Sequence, residues 1–197
     1  MSRPAPVRIL VVRHGQSEWN ADGRWQGHAD IGLTDAGMRQ AAAAAERLGT
    51  FDAIWASDLQ RAATTAAVIA ELIGMGPVHL DERLRETAAG PWQGLTHAQI
   101  EQGWPGYLAG HRRPEGFEDY GHAADRAFAA MRDIAASARP GAEVLVVSHG
   151  GIIRSVRRIE QSVDERIGNL DGTWLDVDGD GGVTVGELVS LLDAPVG

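Results

Sequence analysis

The chain has 197 residues, of which 44% are hydrophobic and 23% charged, so it holds enough apolar material for one globular core with at most a small appendage. Its formal charge of −9 argues against general nucleic-acid or anionic-membrane binding. There is no cysteine and no lysine, which excludes disulfides, thiol nucleophiles, cysteine metal sites, lysine Schiff bases and a P-loop lysine.

The first element is the apolar, β-branched run Ile9 to Val12, read as a buried strand. It runs directly into Arg13, His14 and Gly15. The loop from Gly23 to Gly32 carries no periodicity. Thr34 is then placed as the N-cap of an alanine-rich helix through Met38 to Leu48. Phe51 to Ala56 reads as a second buried strand. Ser57-Asp58 is expected to cap a helix running to about Ile73, which stops at Gly74-Met75-Gly76-Pro77. A short strand, Val78 to Leu80, follows.

Residues 88–118, rich in Gly, Pro, Trp and His, are expected to be mostly loop with one helix near Thr96 to Gln102. Gly121 to Ala138 is a long amphipathic helix, Glu143 to Ser148 a third apolar strand, and Gly150 to Glu160 a helix. The tail reads as strands Thr173 to Val177 and Val183 to Leu192, turning at Gly179-Asp180-Gly181. Strand–helix alternation with no internal repeat predicts one α/β domain over 1–197, helices covering both faces of a mainly parallel or mixed sheet. No apolar run approaches the roughly 18 residues of a membrane span, and the N-terminus shows no leader pattern. The chain is therefore expected to be cytoplasmic, with no membrane or nucleic-acid partner.

Four stretches carry candidate chemistry. Open α/β sheets place ligands at the carboxyl ends of their strands. There His14 offers a nitrogen nucleophile or base, and Arg13 a cationic fork for an anion. The stretch Ser57 to Ala66 is a strand end feeding a helix start, where backbone N–H groups and the helix dipole favour an anion. Arg61 lies one turn in. Val144 to Gly151 ends a second apolar strand at His149, again followed by glycine. Two histidines after two buried strands have little structural reason and would face one pocket. Asp81 to Trp92 supplies carboxylates. Glu86 is the favoured proton donor for a leaving oxygen, with apolar surroundings expected to raise its pKa, and Glu82 is the alternative.

The ordered set R-H-G-Q-S-E-W-N, Q-G-H-A-D-I-G-L-T-D-A-G, S-D-L-Q-R-A, L-R-E with W-Q-G-L-T, and S-H-G-G resembles the histidine phosphatase superfamily, also called phosphoglycerate mutase-like, over residues 8–156. That resemblance implies a three-layer α/β sandwich and a phosphomonoesterase using neither metal nor cofactor. His14 would attack phosphorus, and Arg13, Arg61 and His149 would hold the phosphoryl oxygens. Asn20, Gln26, Gly27 and Gly150 would position the substrate, and Glu86 would protonate the leaving group. The tautomer of His14 would be set by a hydrogen bond, with the Gly15 carbonyl as candidate acceptor. The implied partner is a small phosphate monoester of sugar-phosphate or phosphoglycerate type, and a homodimer is compatible with it.

The alternative is mutase-type transfer. Against it, Glu86 is followed by Thr87-Ala88-Ala89-Gly90 rather than a tyrosine-bearing segment, and no lysine follows. The stretch from Arg83 to Ile100 is most similar to the family's small actinobacterial-type phosphatases, of the glucosyl-3-phosphoglycerate phosphatase kind. Pro114 to Glu118 departs from the G-G-E-S segment common in those proteins, so the substrate-facing insert is expected to differ. Arg112 and Arg113 are either substrate contacts or a solvated pair. Trp25, Trp92 and Trp104 either wall a sugar-sized site or pack the loops. A competing motif, Asp176 to Glu187, fits an EF-hand calcium loop at positions 1, 3, 5, 6, 9 and 12, but its β-prone flanks favour a hairpin.

Overall fold

The computed structural model describes residues 4–161 and 164–192; the absence of a leader pattern was read partly on residues 1–3, which lie outside them. Six strands form one mixed sheet. They are β1 (Val7–Arg13), β2 (Ala53–Ala56), β3 (Val78–Leu80), β4 (Glu143–Ser148), β5 (Asp171–Val177) and β6 (Val183–Ser190), in the order β3-β2-β4-β1-β5-β6. The first four in that order run parallel, and β5 and β6 add an antiparallel hairpin on the other side of β1. The two central strands are covered on both faces, which is why Ile9–Val12 and Val144–Val147 read as unbroken apolar runs.

Alternation along those strands sorts the core into two layers. Ile9, Val11, Val144 and Val146 pack with α5 (Tyr120–Ser137) and α6 (Gly150–Gln161), against Ala127, Met131, Ile152 and Val156. Leu10, Val12, Leu145 and Val147 face the other way, onto α2 (Asp35–Ala45) and α3 (Gln60–Leu72), against Ala41, Ala44, Ala66 and Ile69. The three-layer α/β architecture expected from the sequence is thus observed. Two further helices, α1 (Glu18–Ala21) and α4 (His97–Gly103), lie in the loops over the sheet edge. Residues 89–117 have a small core of their own, built on Trp92, Ile100 and Ala89 with Trp25, Trp104 and Phe117 around them.

Several boundaries differ from expectation for identifiable reasons. Thr34 caps α2, accepting the Gly37 N–H, but the helix ends at Ala45 because Arg47 and Leu48 close the last turn with tighter bonds to Ala44 and Ala45. Ser57 and Asp58 do not cap α3. Asp30, reaching in from the 23–32 loop, accepts the Gln60 N–H at 2.7 Å, while Asp58 pairs with Arg85. Helix α1 was not expected at all; it is one turn held by a Ser17–Asn20 capping box. The Asp-rich tail segment is a hairpin turn flanked by strands, with Val177 opposite Val183. Asp178 Oδ1 accepts the N–H groups of Asp180 and Gly182, so this carboxylate is spent on the turn rather than presented by helices as in a calcium loop.

Candidate active site

The register of the two central strands builds the site floor. Arg13 pairs with Ser148, so His14 and His149 leave the sheet side by side, with ring centroids 5.2 Å apart. Both rings are buried, at 2% and 0% exposure. Desolvation, together with the charges of Arg13 and Arg61, holds the pKa of His14 well below the ordinary histidine range. Burial, then Arg61, does the same to His149. The His14 Nδ1 lies 2.6 Å from the carbonyl of Gly15, the acceptor expected from the sequence. With the ring neutral, Nδ1 carries the proton and Nε2 keeps the free lone pair. Gly15 is required by packing: a Cβ there would lie 2.5 Å from the carbonyl oxygen of Gly37, at the start of α2.

Arg61 is fully buried on the first turn of α3. It donates from Nη1 to the Ala29 carbonyl and from Nη2 to the Gly27 carbonyl, at 2.7 and 2.8 Å, while its Nε has no protein partner. Desolvation pulls its pKa down to about 10, and Glu86 and Asp30 oppose this. Neither ring nitrogen of His149 has a protein partner. Buried, unpartnered polar atoms cost stability, and three of those recorded, on His149 and Arg61, belong to the groups beside His14. Arg13 is held by a 2.7 Å bond from Nη1 to the Ile167 carbonyl, and burial lowers its pKa also.

These groups open onto a cleft of 880 Å³ whose lining includes Arg13, His14, Asn20, Gln26, Gly27, Glu86 and Gly150. His149 and Arg61 sit beneath that lining. Gln26 accepts from the Ser17 hydroxyl, and Gly27 uses its carbonyl to hold Arg61. The surroundings of Glu86 correct the sequence reading of an apolar wall. Its Oε1 accepts from the N–H and hydroxyl of Thr87, and its Oε2 from the N–H of Gly151 at 3.1 Å. That approach needs glycine, since a Cβ at Gly151 would lie 2.2 Å from Glu86 Oε1. Glu82 is exposed and lies outside the cleft.

Sequence reasoning missed several residues that line the cleft or brace its walls. Asn169, in the turn before β5, donates to the His14 carbonyl at 2.9 Å and to Asn20 Oδ1 at 3.4 Å. Arg24, Arg154 and Arg166 line the cleft with Arg13 and Arg113, and Glu86 is the only carboxylate among the lining residues. Arg154 follows Gly150 by four residues on α6, a helical spacing that could have flagged it. Of the Arg112–Arg113 pair, Arg113 lines the cleft, donating to the Tyr120 hydroxyl beside Trp25, Trp92 and Phe117, whereas Arg112 is exposed and stacks on Tyr107. Trp25 lines the cleft, while Trp92 and Trp104 pack the loop core. Among the described residues no group of three or more His, Asp or Glu is placed to hold a metal ion. No helix among them is long and apolar enough to cross a membrane.

Comparison with known proteins bears on this geometry. The model of the histidine phosphatase superfamily, branch 1, matches residues 9–185. A glucosyl-3-phosphoglycerate phosphatase of Mycolicibacterium vanbaalenii is 39% identical over 165 residues, covering 76% of this chain and 72% of that protein. A metal-independent phosphoserine phosphatase of Arabidopsis thaliana is 37% identical over 160 residues, covering 76% of this chain and 67% of that one. Among solved structures, mycobacterial glucosyl-3-phosphoglycerate phosphatase complexed with VO3 superposes with a TM-score of 0.81 at 33% identity, covering 95% of this chain and 97% of that one. Phosphoglycerate mutase from Bacillus anthracis also superposes with a TM-score of 0.81, at 25% identity. With paired histidines at the strand ends and a family match over nearly the whole chain, this protein belongs to the histidine phosphatase superfamily, as a phosphoric monoester hydrolase.

Proposed function

We propose that the protein is a cytoplasmic, metal-independent phosphomonoesterase that works through a phosphohistidine on His14 and acts on a small sugar phosphate or phosphoglycerate-type ester. The observation that carries this reading is the pairing of a neutral His14, anchored through Nδ1 on the Gly15 carbonyl, with unpartnered buried donors on Arg61 and His149 behind it. Such preorganised donors match a transferring phosphoryl group, whose charge spreads over its equatorial oxygens.

In the first half-reaction His14 Nε2 attacks phosphorus. The bond to the leaving oxygen breaks, and the Glu86 carboxyl gives that oxygen its proton. In the second, Glu86 as carboxylate takes a proton from water as the water oxygen attacks the phosphohistidine. Inorganic phosphate leaves and His14 is restored. Arg13, Arg61 and His149 bind the oxygens throughout, and Asn20, Gln26, Gly27 and Gly150 shape the entry. The named relatives act on glucosyl-3-phosphoglycerate and phosphoserine, which supports a small metabolite ester. The arginine-rich lining in a chain of net charge −9 supports an anionic one.

The test is phosphate release in EDTA from p-nitrophenyl phosphate and a panel of sugar and glycerate phosphates, for wild type and His14→Ala. Release that survives EDTA and is lost in the variant is the expected result. Product analysis on phosphoglycerate separates transfer to water from mutase-type transfer to a hydroxyl. Release that requires added metal, or that persists in His14→Ala, would overturn the reading.

A further inference from the structure

Glu86 sits on a loop that makes no regular structure, yet the reaction asks its carboxyl to be in one place. Ser148 holds the Leu84 carbonyl and His28 Nε2 meets the Glu86 carbonyl at 2.7 Å, but the group that gathers most of the loop's backbone is one guanidinium on the first turns of α5. Arg126 donates from Nη1 to the carbonyls of Arg83 and Arg85, at 2.7 and 2.6 Å, and from Nη2 to the carbonyl of Glu86 itself at 2.9 Å. Its remaining N–H groups, on Nε and Nη2, meet the two carboxylate oxygens of Glu118 at 2.7 and 2.8 Å. All five N–H groups of the side chain are thus engaged, the full complement an arginine has.

Glu118 closes the ring. Its Oε2 also accepts the Ala88 N–H at 2.9 Å, and its own N–H donates to the Ala88 carbonyl at 2.9 Å. The pair is well shielded, with side-chain exposures of 21% and 18%. Three carbonyl dipoles of one short loop pointing at a common centre repel one another unless a cation sits there, so this loop conformation depends on Arg126. Glu118 is also the last residue of the Pro114–Glu118 stretch that departs from the G-G-E-S pattern.

We propose that Arg126 and Glu118 are positioning residues for the general acid: they fix the 83–88 backbone so that the Glu86 carboxyl reaches the leaving oxygen. The inference rests on the phosphatase reading above. It predicts damage that depends on the leaving group. A dinitrophenolate departs without a proton, whereas an alkoxide needs one. Arg126→Lys keeps the positive charge but offers three donors in place of five and no planar fork.

The experiment compares kcat/KM, which reports the steps through loss of the leaving group and not the later hydrolysis, on glycerol phosphate and on 2,4-dinitrophenyl phosphate for wild type, Arg126→Lys, Glu118→Gln and Glu86→Gln, with melting curves to show that each variant is folded. The expected result is a loss of about 30-fold on the alkyl ester in Arg126→Lys against under about 3-fold on the aryl ester. A loss of about 5-fold, with the same bias, is expected in Glu118→Gln. Added to Glu86→Gln, the Arg126→Lys change should cost the alkyl ester little more, because the group it positions is gone. Equal losses on both esters in folded variants would overturn the inference, as would an unchanged effect of Arg126→Lys in the Glu86→Gln background. A wild type that turns over neither ester would overturn the phosphatase reading, and this inference with it.

Discussion

The phosphoryl floor and the roof over it are built on opposite plans. The floor comes from two parallel strands in register, so that His14 and His149 emerge together from the most buried part of the sheet. The roof, residues 89–117, has its own aromatic core around Trp92 and is closed at its base by the Glu118 contact with Ala88. The floor carries charged and titratable groups with buried, unpartnered nitrogens, on Arg61 and His149, whereas the roof is packed rings, of which Trp92 alone among the described residues buries an unpartnered N–H, with Arg113 partnered by Tyr120. Stability is spent where charge must be met, and adaptable packing is placed where substrates differ. The contrast predicts that changes in the floor abolish chemistry at little or no cost in stability, while changes in the roof move substrate preference.

The largest effect is expected at His149. Its ring nitrogens have no protein partner, so His149→Leu removes a destabilising feature along with a phosphoryl contact. Turnover of p-nitrophenyl phosphate should fall by about 10²- to 10³-fold. The melting temperature should stay level or rise; a clear fall would mean that the ring is structural.

Next comes Gly151→Ala. Its Cβ would collide with Glu86 Oε1, so the acid should be displaced while the floor stays intact. The loss in kcat/KM should be about 10- to 100-fold on alkyl esters and much smaller on activated aryl esters.

The floor also predicts a pH dependence of stability. His14 and His149 are held neutral in the fold, below the ordinary value of 6.5 that they regain on unfolding. Above pH 6.5 neither state binds the extra protons. As pH falls below 6.5 the unfolded chain takes them up and the native one does not, so stability is lost in that window, by up to about 1.4 kcal/mol per pH unit per ring. Urea midpoints between pH 7.5 and pH 5.5 measure this, and the decline should be about half as steep in His149→Leu.

Against the roof, Trp25→Ala should raise KM for sugar phosphates by about 10-fold with kcat nearly kept, because this ring lines the cleft beside Arg113 and packs on Trp92 and Phe117. An equal loss on every ester would erase the distinction between roof and floor. The smallest effect is at the far hairpin, where millimolar calcium should leave the melting temperature unchanged, since Asp178 is engaged in the turn.

This division also explains what the sequence made legible. Apolar runs ending in His-Gly announce themselves because burial on both faces leaves a continuous signal; Glu143–Ser148 was read with its observed bounds. Thr34 was legible because a cap acts on its own helix. Ser57-Asp58 misled because the donor groups at the start of α3 are met by Asp30, far away in sequence. Arg126, Glu118 and Asn169 stayed hidden for the same reason. Each acts through backbone groups tens of residues away or more, and no local pattern marks such a partner. Gly151 reads as half of a Gly-Gly pair, and only the approach of Glu86 and Thr87 shows which side chains a Cβ there would displace.

The most direct test of the central claim is to trap the intermediate. Wild type mixed briefly with a phosphate ester and quenched in alkali, where phosphohistidine persists, should carry a phosphoryl group on His14 by peptide mass spectrometry. His14→Ala should carry none, and Glu86→Gln should accumulate the adduct from an activated aryl ester, because its second half-reaction lacks a base. Turnover by wild type with no adduct on His14, or with the adduct on another residue, would contradict the account.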